Sequence, residues 1–117
     1  MGKLSTHVLN TANGKAALGM TLRLYGISAQ GSTLIKTAVT NSDGRVDHAL
    51  LQDQEFKPGR YRLEFDVGPY FKAFSGPLPE LTFLDMVPIE FGVADSEQNY
   101  HIPLLVSPWS YSTYRGS

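Results

Sequence analysis

The chain lacks several residue types and patterns, and each absence excludes a class of function. It contains no cysteine among its 117 residues, which excludes disulfide bridges, thiolate nucleophiles and cysteine-based zinc sites. Its formal net charge is -1, and its lysines and arginines are scattered without a run. Nucleic-acid-binding domains usually display a concentrated basic face, so no nucleic-acid partner is expected.

Long apolar segments are also missing. No stretch approaches the roughly 20 apolar residues that a membrane-spanning helix needs, so no membrane association is expected. The N-terminus enters a strand-like pattern at once and shows no apolar signal segment. We therefore expect a cytoplasmic protein, or a periplasmic one if a signal peptide has been removed.

The common catalytic and metal-binding motifs do not occur. The Gly-x-Ser-x-Gly turn of serine hydrolases is absent, and so are Gly-rich phosphate-binding loops. His7 and His101 could share a zinc ion, but no carboxylate or third histidine lies at a ligand spacing. No metal site is predicted.

The patterns that are present are those of a β protein. Turn-forming pairs such as Asn13-Gly14 and Pro58-Gly59 separate short apolar or alternating runs. This spacing predicts an all-β fold, a seven- or eight-stranded β-sandwich, as one domain over residues 1–117. One short helical turn is predicted at Pro69–Phe74, with Pro69 in its first position. The predicted strands are Leu4–Leu9, Met20–Ile27, Thr33–Thr40, Arg60–Val67, Val87–Val93, His101–Val106 and Ser110–Arg115.

Few polar side chains suit catalysis. His7 lies in the first predicted strand, on the face of Ser5, and His101 opens a later strand. Histidine can act as a general base near neutral pH without extreme tuning of its pKa. Arg45 follows the turn sequence Asn41-Ser-Asp-Gly44, and its forked guanidinium matches the oxygen edges of a flat heterocycle. From the residues alone, packed or solvated roles for these side chains stay open.

The last eight residues alternate hydroxyl and aromatic side chains. As a strand, they place Ser112, Tyr114 and Gly116 on one face and the intervening residues on the other. Chain ends normally fray unless something holds them. Two interpretations stay open from this pattern: a segment packed into a site, or an amphipathic edge strand.

Four groups of residues, in order along nearly the whole chain, carry a resemblance to a known family. They are Leu4-Ser-Thr-His-Val-Leu-Asn-Thr-Ala-Asn-Gly-Lys-Ala-Ala17, Thr40-Asn-Ser-Asp-Gly-Arg45, Phe83-Leu-Asp-Met-Val-Pro-Ile-Glu-Phe-Gly-Val93, and Tyr100-His-Ile-Pro-Leu-Leu105 with the ending Tyr114-Arg-Gly-Ser117. Together they resemble the signatures of the 5-hydroxyisourate hydrolases, the transthyretin-related enzymes of urate catabolism.

The resemblance implies a transthyretin-like sandwich assembled as a homotetramer, a dimer of dimers with its sites at the dimer–dimer interface. It also implies hydrolytic opening of the six-membered ring of 5-hydroxyisourate, giving 2-oxo-4-hydroxy-4-carboxy-5-ureidoimidazoline, with no metal or organic cofactor. The implied catalytic residues are His7, Arg45 and His101, and which histidine is the base stays open. The expected substrate-binding residues are Tyr114, Arg115, Gly116 and Ser117, with Ser112 on the same face as Tyr114 by alternation.

Two departures from the family pattern are visible. Many relatives have His-Tyr-His where this chain has Asn99-Tyr100-His101, and the usual Tyr-Gly after Ser-Pro is Trp109-Ser110. Neither departure changes the three implied catalytic residues.

Two other functions compete with the hydrolase prediction. A small-molecule carrier on the transthyretin fold would bind a ligand without catalysis, although the hormone carriers of the family have other residues at the histidine and arginine positions. A structural sandwich module from a larger surface protein is the second alternative, because fold alone does not determine function.

Overall fold

A computed structural model describes residues 1–74 and 76–117 of the chain. Within these residues the predicted all-β sandwich is confirmed: the strands form two sheets, accompanied by one α-helix and a 3-10 helix at Asp53–Glu55. Three two-residue strands bring the number in the described residues above the seven or eight expected. The elements are β1 (Lys3–Asn10), β2 (Lys15–Ala16), β3 (Thr21–Ser28), β4 (Gly31–Val39), β5 (Leu51–Gln52), β6 (Gly59–Asp66), α1 (Val67–Phe74), β7 (Met86–Val93), β8 (Tyr100–Val106) and β9 (Tyr111–Ser112).

The two sheets differ in topology. The first has the order β2-β1-β8-β9, with β5 paired to the start of β1, and its two central strands β1 and β8 are parallel. The second has the order β4-β3-β6-β7 and is antiparallel throughout. In the first sheet, Ser5 lies opposite His101 and His7 lies opposite Pro103, so the parallel pair brings distant parts of the chain together.

Alternation along the strands builds the core between the sheets. In β1, Leu4 and Val8 are fully buried, whereas Ser5 and His7 on the outer face are half-buried. A fully buried leucine or phenylalanine contributes about 1.5–3 kcal/mol relative to an exposed one. The buried side chains of the β3 and β6 region are those that alternation predicts, namely Met20, Leu22, Leu24, Tyr61, Leu63, Phe65 and Val67.

Helix α1 begins at Val67, two residues before the predicted start. Pro69 therefore occupies the third helical position rather than the first. It is tolerated there because the first four N–H groups of a helix have no intrahelical partner in any case. The backbone carbonyl of Asp85 instead accepts hydrogen bonds from Val67 and Gly68. No helix in the described part of the chain has the length and apolar character that crossing a bilayer requires.

The predicted strand Ser110–Arg115 is shorter than expected. Only Tyr111 and Ser112 form regular pairs with β8, and an isolated bridge between His101 and Gly116 follows in the same register. In this register the intervening hydrogen-bonded pair would join Tyr114 to Pro103. Proline has no N–H to donate, and its carbonyl oxygen accepts a bond from the hydroxyl of Thr113 instead, at 2.7 Å. Pro103 thus interrupts the ladder.

Candidate active site

The two strand histidines converge on the outer face of the first sheet. His7 projects from β1 and His101 from the adjacent β8, and their ring centroids lie 6.2 Å apart. Both side chains are half-buried. Side chains on strands are oriented more accurately than side chains on loops, so the relative position of the two imidazole rings is well defined.

His101 is held by a hydrogen bond that the sequence interpretation did not include. The hydroxyl oxygen of Ser5 lies 2.8 Å from Nδ1 of His101, because the parallel register sets these two residues directly opposite each other. The signal was available in the alternation of β1, which places Ser5 on the same face as His7.

The protonation state of His101 follows from its surroundings. Burial lowers the pKa of His101 below its ordinary value of 6.5, and the positive charge of Arg45 and the adjacent His7 lower it further. The ring is therefore neutral at pH 7. A neutral imidazole has one nitrogen lone pair available to accept a proton.

The turn that carries Arg45 docks in a gap along one edge of β1. Strand β5 pairs with the first residues of β1 and strand β2 with the last, which leaves the middle of the strand open. In this gap the N–H of Val8 donates a 2.7 Å hydrogen bond to the carbonyl of Gly44. Arg45 consequently begins next to His7 even though 37 other residues separate the two in sequence.

Gly44 is required by this close approach. Its φ is +76°, a left-handed conformation that favours glycine. A Cβ atom at this position would overlap the carbonyl oxygen of Val8 and would lie 3.2 Å from Cδ2 of His7. Any side chain here would therefore move the Arg45 turn away from the histidine.

Asn41 organises the same turn through its side chain. Its Oδ1 accepts hydrogen bonds from the backbone N–H groups of Asp43, at 2.9 Å, and Arg45, at 3.2 Å. Its backbone N–H donates to the carbonyl of Arg45 at 2.7 Å. The sequence interpretation identified the turn but not this role. The Arg45 side chain is exposed and has no hydrogen-bond acceptor among the described residues, so its guanidinium is free to meet a ligand.

The C-terminal segment closes onto His101 through its backbone. Gly116 and His101 exchange two backbone hydrogen bonds, of 2.7 and 3.2 Å. A Cβ atom on Gly116 would lie 3.1 Å from both Cβ and Cδ2 of His101. The glycine therefore lets the chain end pass directly against the histidine ring.

The other predicted binding residues lie further from the histidine pair. The Arg115 guanidinium is 4.1 Å from the ring centroid of Tyr100 and bonds to Gln98 and Asn99, on the opposite side of β8 from His101. Tyr114 is 60% exposed and, with Arg115, lines an open pocket of about 240 Å³ facing β7. Ser112 lies opposite Leu105, four positions along the register from His101, and Ser117 is exposed beside Gly116. Their roles stay predictions.

The chemical capacity of the site follows from these groups. A neutral, half-buried imidazole can accept a proton from water, and a permanent cation beside it can stabilise negative charge on an oxygen. Within the described residues, no group of three or more His, Asp or Glu side chains is arranged to hold a metal ion.

Comparisons with known proteins agree with this fold. The HIUase/Transthyretin family matches residues 4–116 of the chain. A 5-hydroxyisourate hydrolase from Pseudomonas aeruginosa is 50% identical over 117 residues, which cover 100% of this chain and 93% of that protein. The crystal structure of an (S)-allantoin synthase superposes with a TM-score of 0.93 at 42% identity, and the match covers 99% of this chain but only 44% of the synthase. Sea bream transthyretin in complex with thyroxine superposes with a TM-score of 0.86 at 30% identity, covering 97% and 94% of the two chains.

Proposed function

The chain belongs to the HIUase/transthyretin family, and on that premise we propose that it hydrolyses 5-hydroxyisourate with His7, Arg45 and His101. The resemblance found in the sequence motifs is confirmed by the family match. One observation carries the choice of residues: the two histidines and the turn holding Arg45 converge on a single outer face.

His101 is the better candidate for the general base. Its lowered pKa keeps it neutral at pH 7, and its Nδ1 is already engaged by Ser5. Nε2 is then the nitrogen left to take a proton from water as the water oxygen bonds to a ring carbonyl carbon. The imidazolium of His101 then gives this proton to the leaving nitrogen of the substrate ring when the carbon–nitrogen bond breaks. The six-membered ring opens to a carboxylic acid, which releases its proton to solvent at neutral pH, and the product is 2-oxo-4-hydroxy-4-carboxy-5-ureidoimidazoline.

Arg45 stabilises the oxyanion that forms on the attacked carbonyl. Its guanidinium is exposed at the edge of the site and carries donors that match an oxygen on a flat ring. Stabilisation of such charge is usually the largest single contribution to acyl-transfer catalysis. His7 holds the attacking water or the substrate from the neighbouring strand, 6.2 Å away between ring centroids.

The C-terminal residues form one wall of the substrate pocket in this proposal. Gly116 brings the backbone against His101, and Ser117 follows it into the open side of the site. Ser112, Tyr114 and Arg115 lie further from the histidine pair of their own chain, and in this proposal they contact substrate at the interface with a neighbouring subunit.

A homotetramer, a dimer of dimers, is the assembly that we propose. Among the described residues, β7 pairs with β6 alone and leaves an eight-residue strand edge open. Such an edge is a template for pairing with a second copy. The outer face that bears the histidines would then meet a second dimer, because the two-fold axes of a dimer of dimers require self-complementary faces. Light scattering measures the assembly.

A single domain over residues 1–117 and a cytoplasmic location also stay predictions, checked by limited proteolysis and by cell fractionation.

The function is tested by adding freshly generated 5-hydroxyisourate and following its ultraviolet absorbance. The intact protein should accelerate the decay well beyond the spontaneous rate, and His101→Asn should lose most of the acceleration. The matched control is His48→Asn, which changes an exposed histidine outside the site and should keep full activity.

The carrier alternative gives a different result in the same assay. A carrier would bind a heterocycle, measured by calorimetry, without changing the decay of 5-hydroxyisourate. Saturable binding with no acceleration would therefore contradict the hydrolase proposal and favour the carrier.

A further inference from the structure

Ser5 and His101 form a contact between side chains that lie 96 positions apart in sequence. They sit directly opposite each other on the two parallel central strands, with 2.8 Å between the serine hydroxyl oxygen and Nδ1 of His101. Both side chains are half-buried. A bond between two rigid strands fixes the orientation of the imidazole ring as well as one of its nitrogens.

A neutral imidazole exists in two tautomers, and its hydrogen bonds decide between them. One ring nitrogen carries a proton and donates, while the other has a lone pair and accepts. A serine hydroxyl can do either, so the Ser5 contact alone permits both tautomers. The remaining groups near the ring must settle the choice.

The charged and titratable groups around His101 favour one tautomer. Arg45 can donate hydrogen bonds but cannot accept them, and its permanent positive charge acts on His101 from the docked turn. His7 faces the ring from β1. The guanidinium of Arg115, on the C-terminal segment, is directed to the far side of β8, over Tyr100. The positive charge of Arg45 is best matched by a ring nitrogen that carries a lone pair. The ring proton then lies on Nδ1, the nitrogen that faces Ser5.

We propose that Ser5 is a positioning residue that accepts a hydrogen bond from Nδ1–H of His101 and so keeps Nε2 unprotonated toward the substrate. This inference rests on the proposed hydrolase function and deepens it. Ser5 acts through His101, whose Nε2 lone pair is the group that takes the proton from water.

The first test reads the tautomer directly. The full chain is labelled with ¹⁵N, and the long-range ¹⁵N–¹H correlations of His101 are recorded at pH 7 for the intact protein and for Ser5→Ala. The intact protein should show one tautomer, protonated at Nδ1, and Ser5→Ala should show a mixture. A ring protonated at Nε2 in the intact protein, or a tautomer unchanged in Ser5→Ala, would overturn the proposal.

The second test measures turnover of 5-hydroxyisourate by the same proteins. Loss of one hydrogen bond to a neutral group corresponds to a change of about three- to tenfold in a rate constant. We expect kcat to fall by this factor in Ser5→Ala, while KM changes little. Ser5→Thr retains a hydroxyl and suits a strand, so it should restore both kcat and the tautomer. The matched control is Ser32→Ala, at an exposed position of β4 in the other sheet, which should leave both unchanged.

The two readouts also separate this proposal from the proposed function. An intact protein that fails to accelerate the decay of 5-hydroxyisourate contradicts the hydrolase function, whatever the tautomer. An active intact protein with an equally active Ser5→Ala contradicts only the role of Ser5. A fall in kcat without a change of tautomer would also overturn the role, because it would show that the serine does not act through the imidazole protonation. Thermal unfolding of each variant accompanies both tests, so that loss of fold is recognised.

Discussion

The two sheets differ in whether the charged side chains on their outer faces are paired with one another. On the second sheet, Arg23 forms two hydrogen bonds with Asp66, of 2.7 and 2.8 Å, and lies 3.5 Å from Glu64. Arg62 bonds to Glu64 at 2.9 Å and stacks over the ring of Tyr25. On the first sheet, the cation of Arg45 has no such partner among the described residues.

This difference separates a stabilising face from a reactive one. Charged groups that satisfy one another hold a sheet together but have little capacity left for a ligand. Hydrogen bonding to Arg23 lowers the pKa of Asp66, so that carboxylate stays ionised and paired at neutral pH. The first sheet instead keeps a neutral imidazole and a free guanidinium on its surface, which are the groups that a substrate with carbonyl oxygens can use. Substitutions on the two faces should therefore change different measurements.

The largest effect is expected from removing the C-terminal wall of the reactive face. Truncation after Thr113 removes the two backbone bonds between Gly116 and His101 and the stacking of Arg115 on Tyr100. We expect hydrolysis to be abolished and the assembly to loosen, as measured by absorbance and by light scattering. Gly116→Ala is a gentler version, because its methyl group would press against the His101 ring. A truncated protein that is tetrameric and fully active would show that the ending is only an edge strand.

Substitution of the three implied catalytic residues should come next in size. We expect His7→Asn, Arg45→Gln and His101→Asn each to lower turnover by about 10²–10⁴. Their free energy of unfolding should change by no more than about 0.5 kcal/mol, because all three lie on the half-buried or exposed outer face. Arg62→Gln on the other sheet is the matched control and should keep full turnover. Near-normal turnover in His101→Asn would exclude it as the base.

The stabilising face should show the reverse pattern. Arg23→Met removes the partner of Asp66 and should lower the free energy of unfolding by about 1 kcal/mol at pH 7, with turnover unchanged. The folded-state pKa of Asp66 is lowered, so this stability is present above the ordinary pKa and is lost as the pH falls through the lowered one. Urea unfolding at pH 7 and at pH 2 to 3 checks the prediction. A difference between intact and variant protein that persists undiminished in acid would contradict the ion pair as its source.

The smallest effect is a displacement of a pH profile. If neutral His101 is the base, kcat/KM should fall only as the pH drops through the lowered pKa of His101. The midpoint of this fall in the pH profile should therefore lie below pH 6.5. Replacing Arg45 by Gln removes a nearby positive charge that lowers the pKa of His101, so this pKa should rise towards its ordinary value. The ¹H NMR titration of His101 measures both values. A rate that is flat between pH 5 and 8, with chemistry shown to limit turnover, would count against a histidine base.

The sequence predicted the buried positions of the strands well because alternation is a local pattern. Leu22 and Leu24 in β3, like Leu63 and Phe65 in β6, are buried as alternation requires. The length of the last strand could not be obtained in this way. Its interruption depends on Pro103 of β8, a partner that the local sequence of residues 110–115 does not reveal.

The site was predictable as a set of residues but not as an arrangement. Motifs identified His7, Arg45 and His101, yet the contact between Ser5 and His101 arises from the parallel register of β1 and β8. Arg45 reaches His7 only because β2 and β5 leave the middle of one edge of β1 uncovered. These are pairings between distant segments, and β2 and β5 are only two residues long, too short to produce a recognisable pattern.

The parallel pairing of β1 with β8 also has a consequence for folding. The two histidines lie on strands near opposite ends of the chain. Contacts of such long range are slow to form, because closing the intervening loop costs entropy before the contacts can stabilise the pairing. Partly folded chains with the second sheet complete but β8 undocked would hold no paired imidazoles. Recovery of hydrolytic activity after dilution from denaturant would thus require the docking of this strand as well as assembly of the proposed tetramer, and it should lag behind the recovery of β-sheet circular dichroism.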